Sequence, residues 1–262
     1  MSDEADPEWL PVLHGESDDR VYRRRDGLAY LKEAPRGRMD VLAQERNRLT
    51  WLAGTVMATP RVLFWQEADD HARLFTTAVP GIPASDLPGD RLLEAWPSIA
   101  EQFAALHHLP TTTCPFDRSL ASMIDRARDV VARNAVNPDF LPDEDKTTPP
   151  SELLARVTDE LPIRLAEEAS DFVVCHGDAC LPNIMVDPRT LRCTGLIDLG
   201  RLGCADRYAD LALLLANARE SWTSPDHAER AHAILFETLA IKPDRERLAF
   251  YLRLDPLTWP LG

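Results

Sequence analysis

Hydrophobic and polar positions divide the chain into two parts of different texture. Short alternating runs over 19–25 and 28–34 predict two strands, and Asp26-Gly27 between them predicts a two-residue hairpin turn. Leu42, Leu49 and Leu52 mark the apolar stripe of a helix expected over 39–53. Two further strands are expected over 60–66 and 72–78, joined by Glu67-Ala68-Asp69-Asp70. Val79-Pro80-Gly81-Ile82-Pro83 then breaks the pattern, and a cleft is expected at such a boundary. The remainder of the chain is mostly helical, over 89–108, 117–134 and 151–169. An apolar strand from Phe172 runs into the tight loop His176-Gly177-Asp178, and a second strand delivers Asp198. Asp206 can cap the helix that starts beside it, and helices over 225–239 and 243–254 close the pattern. The pattern predicts an α+β chain in two lobes: 1–79, a small antiparallel sheet with one helix, and 80–262, mainly helical.

Several polar residues sit where this pattern does not call for them. Glu45 falls inside the apolar stripe of its helix, and a carboxylate there is costly unless paired. Lys32 on the preceding strand, on the same face as Tyr30, is the natural partner. The pair reads as a plain salt bridge or as a lysine aimed at nucleotide phosphates, and this segment fits both. Upstream, His14-Gly15-Glu16-Ser17-Asp18 is a polar turn that could fold over phosphates with Ser17 as a donor, or an ordinary turn. His107-His108 cannot both face one metal from adjacent helical positions, so a helix-end role is expected. Asp210 is expected to hold a loop through backbone N–H bonds, and Arg201 to balance Asp198 or touch phosphate.

Asp178, Asn183 five residues later, and Asp198 form the chemical centre. An aspartate can accept a proton from an attacking hydroxyl, while an amide and a second carboxylate offer hard oxygens to Mg2+. His176 and Asp178 alone could equally serve a metal-dependent hydrolase, but further histidine ligands are missing nearby. The ordered set of Ser17, Lys32, Glu45, a Pro-Gly boundary, Asp178, Asn183 and Asp198 points instead to ATP-dependent phosphoryl transfer in the protein-kinase manner. A Walker lysine motif is absent. The short path from Asp198 to the next helix leaves no room for a long activation loop, so a small-molecule acceptor is expected rather than a protein. A nucleotide-binding sensor without catalysis is the reading from another class.

Charge adds to this picture. The 262 residues carry a formal net charge of -14, which disfavours nucleic acid and would attract a cationic small molecule, or serve solubility alone. No apolar run is long enough to span a membrane. Met1-Ser2-Asp3-Glu4-Ala5-Asp6 does not read as a signal peptide, and the five cysteines lack a Cys-x-x-Cys pair, so a cytoplasmic protein with free thiols is expected.

His176-Gly177-Asp178-Ala179-Cys180-Leu181-Pro182-Asn183-Ile184-Met185-Val186 and Ile197-Asp198-Leu199-Gly200-Arg201-Leu202-Gly203-Cys204-Ala205-Asp206-Arg207-Tyr208 closely resemble the signature of the aminoglycoside phosphotransferases. The likeness covers nearly the whole chain, and residues 133–146 resemble the streptomycin 3''-phosphotransferases within that family. It implies a two-lobed protein-kinase-like fold, ATP and Mg2+ as cofactors, and an aminoglycoside acceptor modified by a monomer, giving antibiotic resistance. Carried over by position, Asp178 becomes the catalytic base. Asn183 and Asp198 hold the metal, Lys32 with Glu45 meets the α- and β-phosphates, and Ser17 belongs to the phosphate-covering loop. The backbone of Thr77 and Val79 would meet adenine. Glu16 and Asp18 depart from the small or apolar neighbours that loop would be expected to have. Guanidinium groups prefer carboxylate forks, and Asp139, Asp143, Glu144, Asp145 and Asp255 are candidates to supply them. Trp259 is expected in the core or against the sugar.

Overall fold

A computed structural model describes residues 8–12 and 19–260. Strands β1 (Trp9–Pro11), β2 (Arg20–Arg24) and β3 (Ala29–Pro35) lead into helix α1 (Met39–Leu52), succeeded by β4 (Val62–Glu67) and β5 (His71–Thr77). The five strands make one antiparallel sheet in the order β1-β2-β3-β5-β4. The turn between β2 and β3 occupies 25–28 and is wider than the expected pair, with Gly27 at φ 74 and the Asp26 carboxylate accepting the Leu28 N–H at 2.8 Å. Lys32 pairs across the ladder with Leu74, and Ala34 with Ala72. Directly opposed residues share a face. Leu74, Ala34 and Ala72 are buried in one cluster with Leu42, Leu49 and Leu52 of α1. Lys32 therefore enters an otherwise apolar seam between sheet and helix, where Glu45 lies.

Beyond Val79-Pro80-Gly81 come β6 (Ile82–Pro83), α2 (Gly89–His107), α3 (Leu120–Ala132), α4 (Pro150–Asp159) and α5 (Leu161–Glu168). The single helix expected over 151–169 is two. Pro162 offers no N–H and its ring crowds the carbonyl one turn earlier, so the helix breaks at Glu160. The chain continues through β7 (Phe172–Cys175), β8 (Ile184–Val186), β9 (Cys193–Leu196), β10 (Gly203–Asp206), α6 (Arg207–Asn217), α7 (Pro225–Thr238) and α8 (Arg245–Leu254). Two small antiparallel sheets, β10-β7 and β6-β8-β9, carry the loops of interest. They rest on α2, whose Trp96, Ile99, Phe103 and Leu106 are fully buried. The Trp96 indole donates to the Ala231 carbonyl of α7 at 2.7 Å, which satisfies its one polar atom inside the core.

The start of α6 agrees with the sequence pattern. The Asp206 carboxylate accepts the Tyr208 N–H at 2.9 Å as an N-cap. It also accepts from Arg247 of α8 at 2.5 Å, and Arg247 donates to Asp171 at 2.8 Å while lying over the Tyr208 ring at 4.1 Å. A buried cation is thus matched by two carboxylates and an aromatic face, and it ties α8 to the sheet that bears the loop.

Candidate active site

β7 ends in the loop His176-Gly177-Asp178, and one carboxylate shapes it. Asp210, on the first turn of α6 and wholly buried, accepts the His176 N–H at 2.7 Å and the Gly177 N–H at 2.9 Å. Its Oδ2 also meets His107 Nε2 of α2 at 3.2 Å. Burial works against the charge, but these partners outweigh it and hold Asp210 below the usual carboxylate range. Gly177 turns at φ 81, and a Cβ there would come within 2.2 Å of the Arg201 carbonyl, so only glycine fits. His107, Cys175 and Asp210 cluster closely enough to suggest a metal site. The commitments of Asp210 to two amides and an imidazole account for the cluster as a hydrogen-bond hub.

His176 links the loop to the next strand. Its Nδ1 accepts the Asp178 N–H at 3.2 Å, so Nε2 carries the proton and donates to the Ile197 carbonyl at 3.0 Å. Both ring nitrogens are thereby committed to backbone groups that hold the loop. Asp178 is left partly exposed, with its carboxylate held at both oxygens. Asn183 Nδ2 donates to Oδ2 at 2.9 Å and to the Asp178 carbonyl at 3.0 Å, and the Cys180 thiol donates to Oδ1 at 3.4 Å. Burial and the adjoining Asp178 charge push the Cys180 thiol up, so it remains a donor. The sequence reading omits this contact with Cys180; the spacing of two residues within one loop is the only signal for it.

The lysine arrangement is bipartite. Lys32 Nζ donates to both oxygens of Glu45, at 2.8 and 2.9 Å, and also to Asp198 Oδ1 at 2.9 Å. Burial disfavours the ammonium, but Glu45 and Asp198 together hold Lys32 above its ordinary value. Lys32 in turn holds Asp198 below the usual carboxylate range. Asp198 adopts φ 59, a left-handed conformation uncommon for a non-glycine residue and frequent at functional sites. The sequence pairs Lys32 with Glu45; the direct bond to Asp198 is an addition.

The donor set suits a hard divalent ion. Because the Asn183 nitrogen faces two acceptors, its oxygen points away from them, and among the described residues that oxygen has no donor. Asp198 Oδ2 is likewise without a protein partner among the described residues, and its side chain is half exposed. Two uncommitted oxygens from an amide and a carboxylate match the ligand preference of Mg2+.

Other expected residues fall into place less uniformly. The Thr77 N–H donates to the Arg61 carbonyl at 2.9 Å, and Thr77 Oγ1 accepts the Arg61 N–H at 2.9 Å, so this amide is committed within the sheet. The Val79 N–H has no acceptor among the described residues, and its side chain packs where a Gly195 Cβ would otherwise sit. Ser17 lies outside the described residues. Arg201 neither balances Asp198 nor faces the cleft's lysine. It is part-buried beside Asp255 at 3.3 Å and Thr258 at 2.6 Å, and stacks on Trp259 at 3.9 Å. Burial, with Arg118 close by, pushes its guanidinium down to about 10. Trp259 is half-buried in this stack, and its indole donates to Asp255 at 3.0 Å. Asp255 is therefore occupied by Arg118, Arg201 and Trp259, Asp143 by Lys146, and Asp145 by Arg156. Asp139 and Glu144 are exposed and form no ion pair among the described residues. His108 obeys the helix-end expectation, meeting the Ala104 carbonyl at 2.6 Å, whereas His107 turns inward to Asp210.

The site thus gathers an accessible carboxylate, two hard-oxygen groups and a clamped lysine, the parts that phosphoryl transfer needs. Comparisons with known proteins agree with this chemistry. The profile of the phosphotransferase enzyme family matches residues 8–251. A streptomycin 3''-kinase of Streptomyces griseus is 53% identical over 252 residues, covering 96% of this chain and 93% of that protein. An aminoglycoside 3'-phosphotransferase of Streptomyces fradiae is 39% identical over 260 residues, covering 95% of this chain and 94% of that protein. The solved structure of aminoglycoside phosphotransferase APH(3'')-Id from Streptomyces rimosus, in complex with ADP and streptomycin, superposes with a TM-score of 0.91 at 49% identity, covering 98% of this chain and 95% of that one. The chain belongs to the phosphotransferase enzyme family, among its aminoglycoside phosphotransferases.

Proposed function

We propose that this protein is a streptomycin 3''-kinase, moving the γ-phosphoryl group of ATP to the 3''-hydroxyl of streptomycin and so conferring resistance to it. One observation carries the reading: Lys32 of the N-terminal sheet bonds Asp198 of the second lobe while Glu45 clamps it from behind. The nucleotide's phosphates and the transfer centre then share one cleft. The likeness to a streptomycin 3''-kinase at 53% identity directs the choice of acceptor.

In this mechanism Asp178, aligned by Asn183 and Cys180, accepts the proton of the acceptor hydroxyl as phosphorus–oxygen bond formation proceeds. Lys32 turns from Asp198 towards the α- and β-phosphates and stays charged because Glu45 remains beside it. Asn183 and Asp198 would hold Mg2+, whose charge would offset that of the phosphates. The open Val79 amide would read adenine at the boundary between the lobes, 1–79 and 80–262. Asp139 and Glu144, exposed and without ion pairs among the described residues, are the carboxylates free to receive a guanidinium group. We assign a monomer working in the cytoplasm; no described helix is long and apolar enough to cross a membrane.

The test is mass spectrometry of streptomycin after incubation with protein, ATP and Mg2+, with fragmentation to locate the phosphate, beside kanamycin and choline. Phosphate at the 3'' position is expected, and exclusive phosphorylation of kanamycin or choline would replace this reading. Asp178→Asn should slow turnover by roughly 10²- to 10⁴-fold with ATP affinity nearly unchanged. Unaltered turnover in that variant would remove Asp178 from the mechanism.

A further inference from the structure

Two cysteines of the second lobe lie together outside the cleft, where α1 of the first lobe packs against that lobe. Cys204 lies on β10, and its N–H donates to the Phe116 carbonyl at 2.8 Å. The Cys114 thiol meets that same carbonyl at 3.8 Å. Reciprocally, the Cys114 N–H donates to the Thr111 carbonyl at 3.2 Å, and the Cys204 thiol meets that carbonyl at 3.9 Å. Two carbonyl acceptors, each shared by both residues, thus hold the two side chains side by side. Cys204 is buried, whereas Cys114 is half-buried and within reach of solvent. The surroundings are fixed: the Trp51 indole donates to the Thr113 carbonyl at 2.8 Å, and Arg48 donates to the Leu202 carbonyl at 2.7 Å while lying over the Phe116 ring at 4.9 Å.

We propose that Cys114 and Cys204 form a dithiol oxidation site that takes low-molecular-weight disulfides, with Cys114 as the attacking sulfur and Cys204 as the resolving one. The Cys114 sulfur attacks one sulfur of the small disulfide, whose S–S bond breaks. The departing thiolate takes up the Cys114 proton. The Cys204 sulfur then attacks Cys114 in the mixed disulfide, and the second small thiol leaves with the Cys204 proton. Two protein thiols are oxidised by two electrons and one small disulfide is reduced to two thiols.

The division of labour comes from the environment. Cys114 is the solvent-reachable member, and the neighbouring Cys204 thiol pulls it down, against burial and with help from Arg48. The same neighbour contact, with burial, pushes Cys204 up. Burial likewise raises Cys175, Cys180 and Cys193. Lowered and reachable from solvent, Cys114 is expected to react ahead of the other four cysteines. Neither residue belongs to the catalytic machinery, so Cys114→Ser and Cys204→Ser should retain basal kinase activity.

The full-length protein would be exposed to oxidised glutathione, quenched with iodoacetamide and mapped as non-reduced peptides. The expected product is one cross-linked peptide pair joining Cys114 and Cys204, with the other cysteines alkylated. Cys204→Ser should stop at a glutathione adduct on Cys114, and Cys114→Ser should give neither product. A lasting Cys114 adduct in the wild-type protein would overturn the resolving role of Cys204. Equal modification of all five cysteines, or none at Cys114, would overturn the site itself.

Discussion

Asp210 offers the sharpest test of how the fold sets the loop that carries Asp178. Asp210→Ala leaves the His176 and Gly177 N–H groups without an acceptor in a site that excludes water, and strips His107 of its partner. Each orphaned buried group costs about 1–3 kcal/mol. Partial relaxation of the loop brings the expected loss to about 3–5 kcal/mol, as for other broken buried charge contacts. For a chain of this size that is a fall in Tm of roughly 6–20 °C. The two amides precede Asp178, so kcat should fall further than the folded fraction alone explains. Because Asp210 is held below its ordinary 3.8, its contribution is fully present above that value and is lost as pH falls through the native one. Wild-type and Asp210→Asn unfolding curves should therefore approach each other in acid. Thermal melts across pH, paired with steady-state kinetics, measure both effects. A Tm within about 2 °C of wild type, with kcat intact, would refute the role of Asp210 as the loop's anchor.

Two further substitutions probe the cleft. Glu45→Gln removes one charged partner of Lys32 and should lower kcat/KM for ATP by about 10- to 100-fold, measured by coupled ADP release, while Tm moves less than in Asp210→Ala. Gly177→Ala would set a Cβ 2.2 Å from the Arg201 carbonyl at φ 81, and circular-dichroism melts together with turnover should both show loss, the strained backbone alone contributing about 1–2 kcal/mol.

Much of this architecture is legible because single residues break the pattern around them. Glu45 stands out as a carboxylate in an apolar stripe, and it does meet Lys32. Asp210, expected to hold backbone N–H groups, holds two. The spacing of Asp178 and Asn183 places both in one turn, where they touch. Long-range choices are less visible. Arg201 has a carboxylate three residues away, yet Asp255 captures it because the C-terminal segment folds back over that loop. Asp255, a candidate substrate carboxylate by sequence, is for the same reason already occupied. Strand β10 is short and contains Gly203, so its pairing with β7 leaves almost no local trace. The break at Glu160 is signalled by Pro162, but the apolar periodicity continues across it and masks the signal.

The three-way contact of Lys32, Glu45 and Asp198 also bears on the order in which ligands can arrive. Two carboxylates share one ammonium, so the trio carries one net negative charge inside a chain of formal charge -14. A bare nucleotide tetraanion would meet repulsion on entry, and its nearest cation would already be engaged. On the proposed metal assignment, a nucleotide travelling with its own divalent counter-ion would meet the opposite situation, since Asp198 would gain a partner as it gave up Lys32. Free ATP would then compete poorly with its magnesium complex, and the ratio of magnesium to nucleotide would limit turnover independently of the acceptor's concentration.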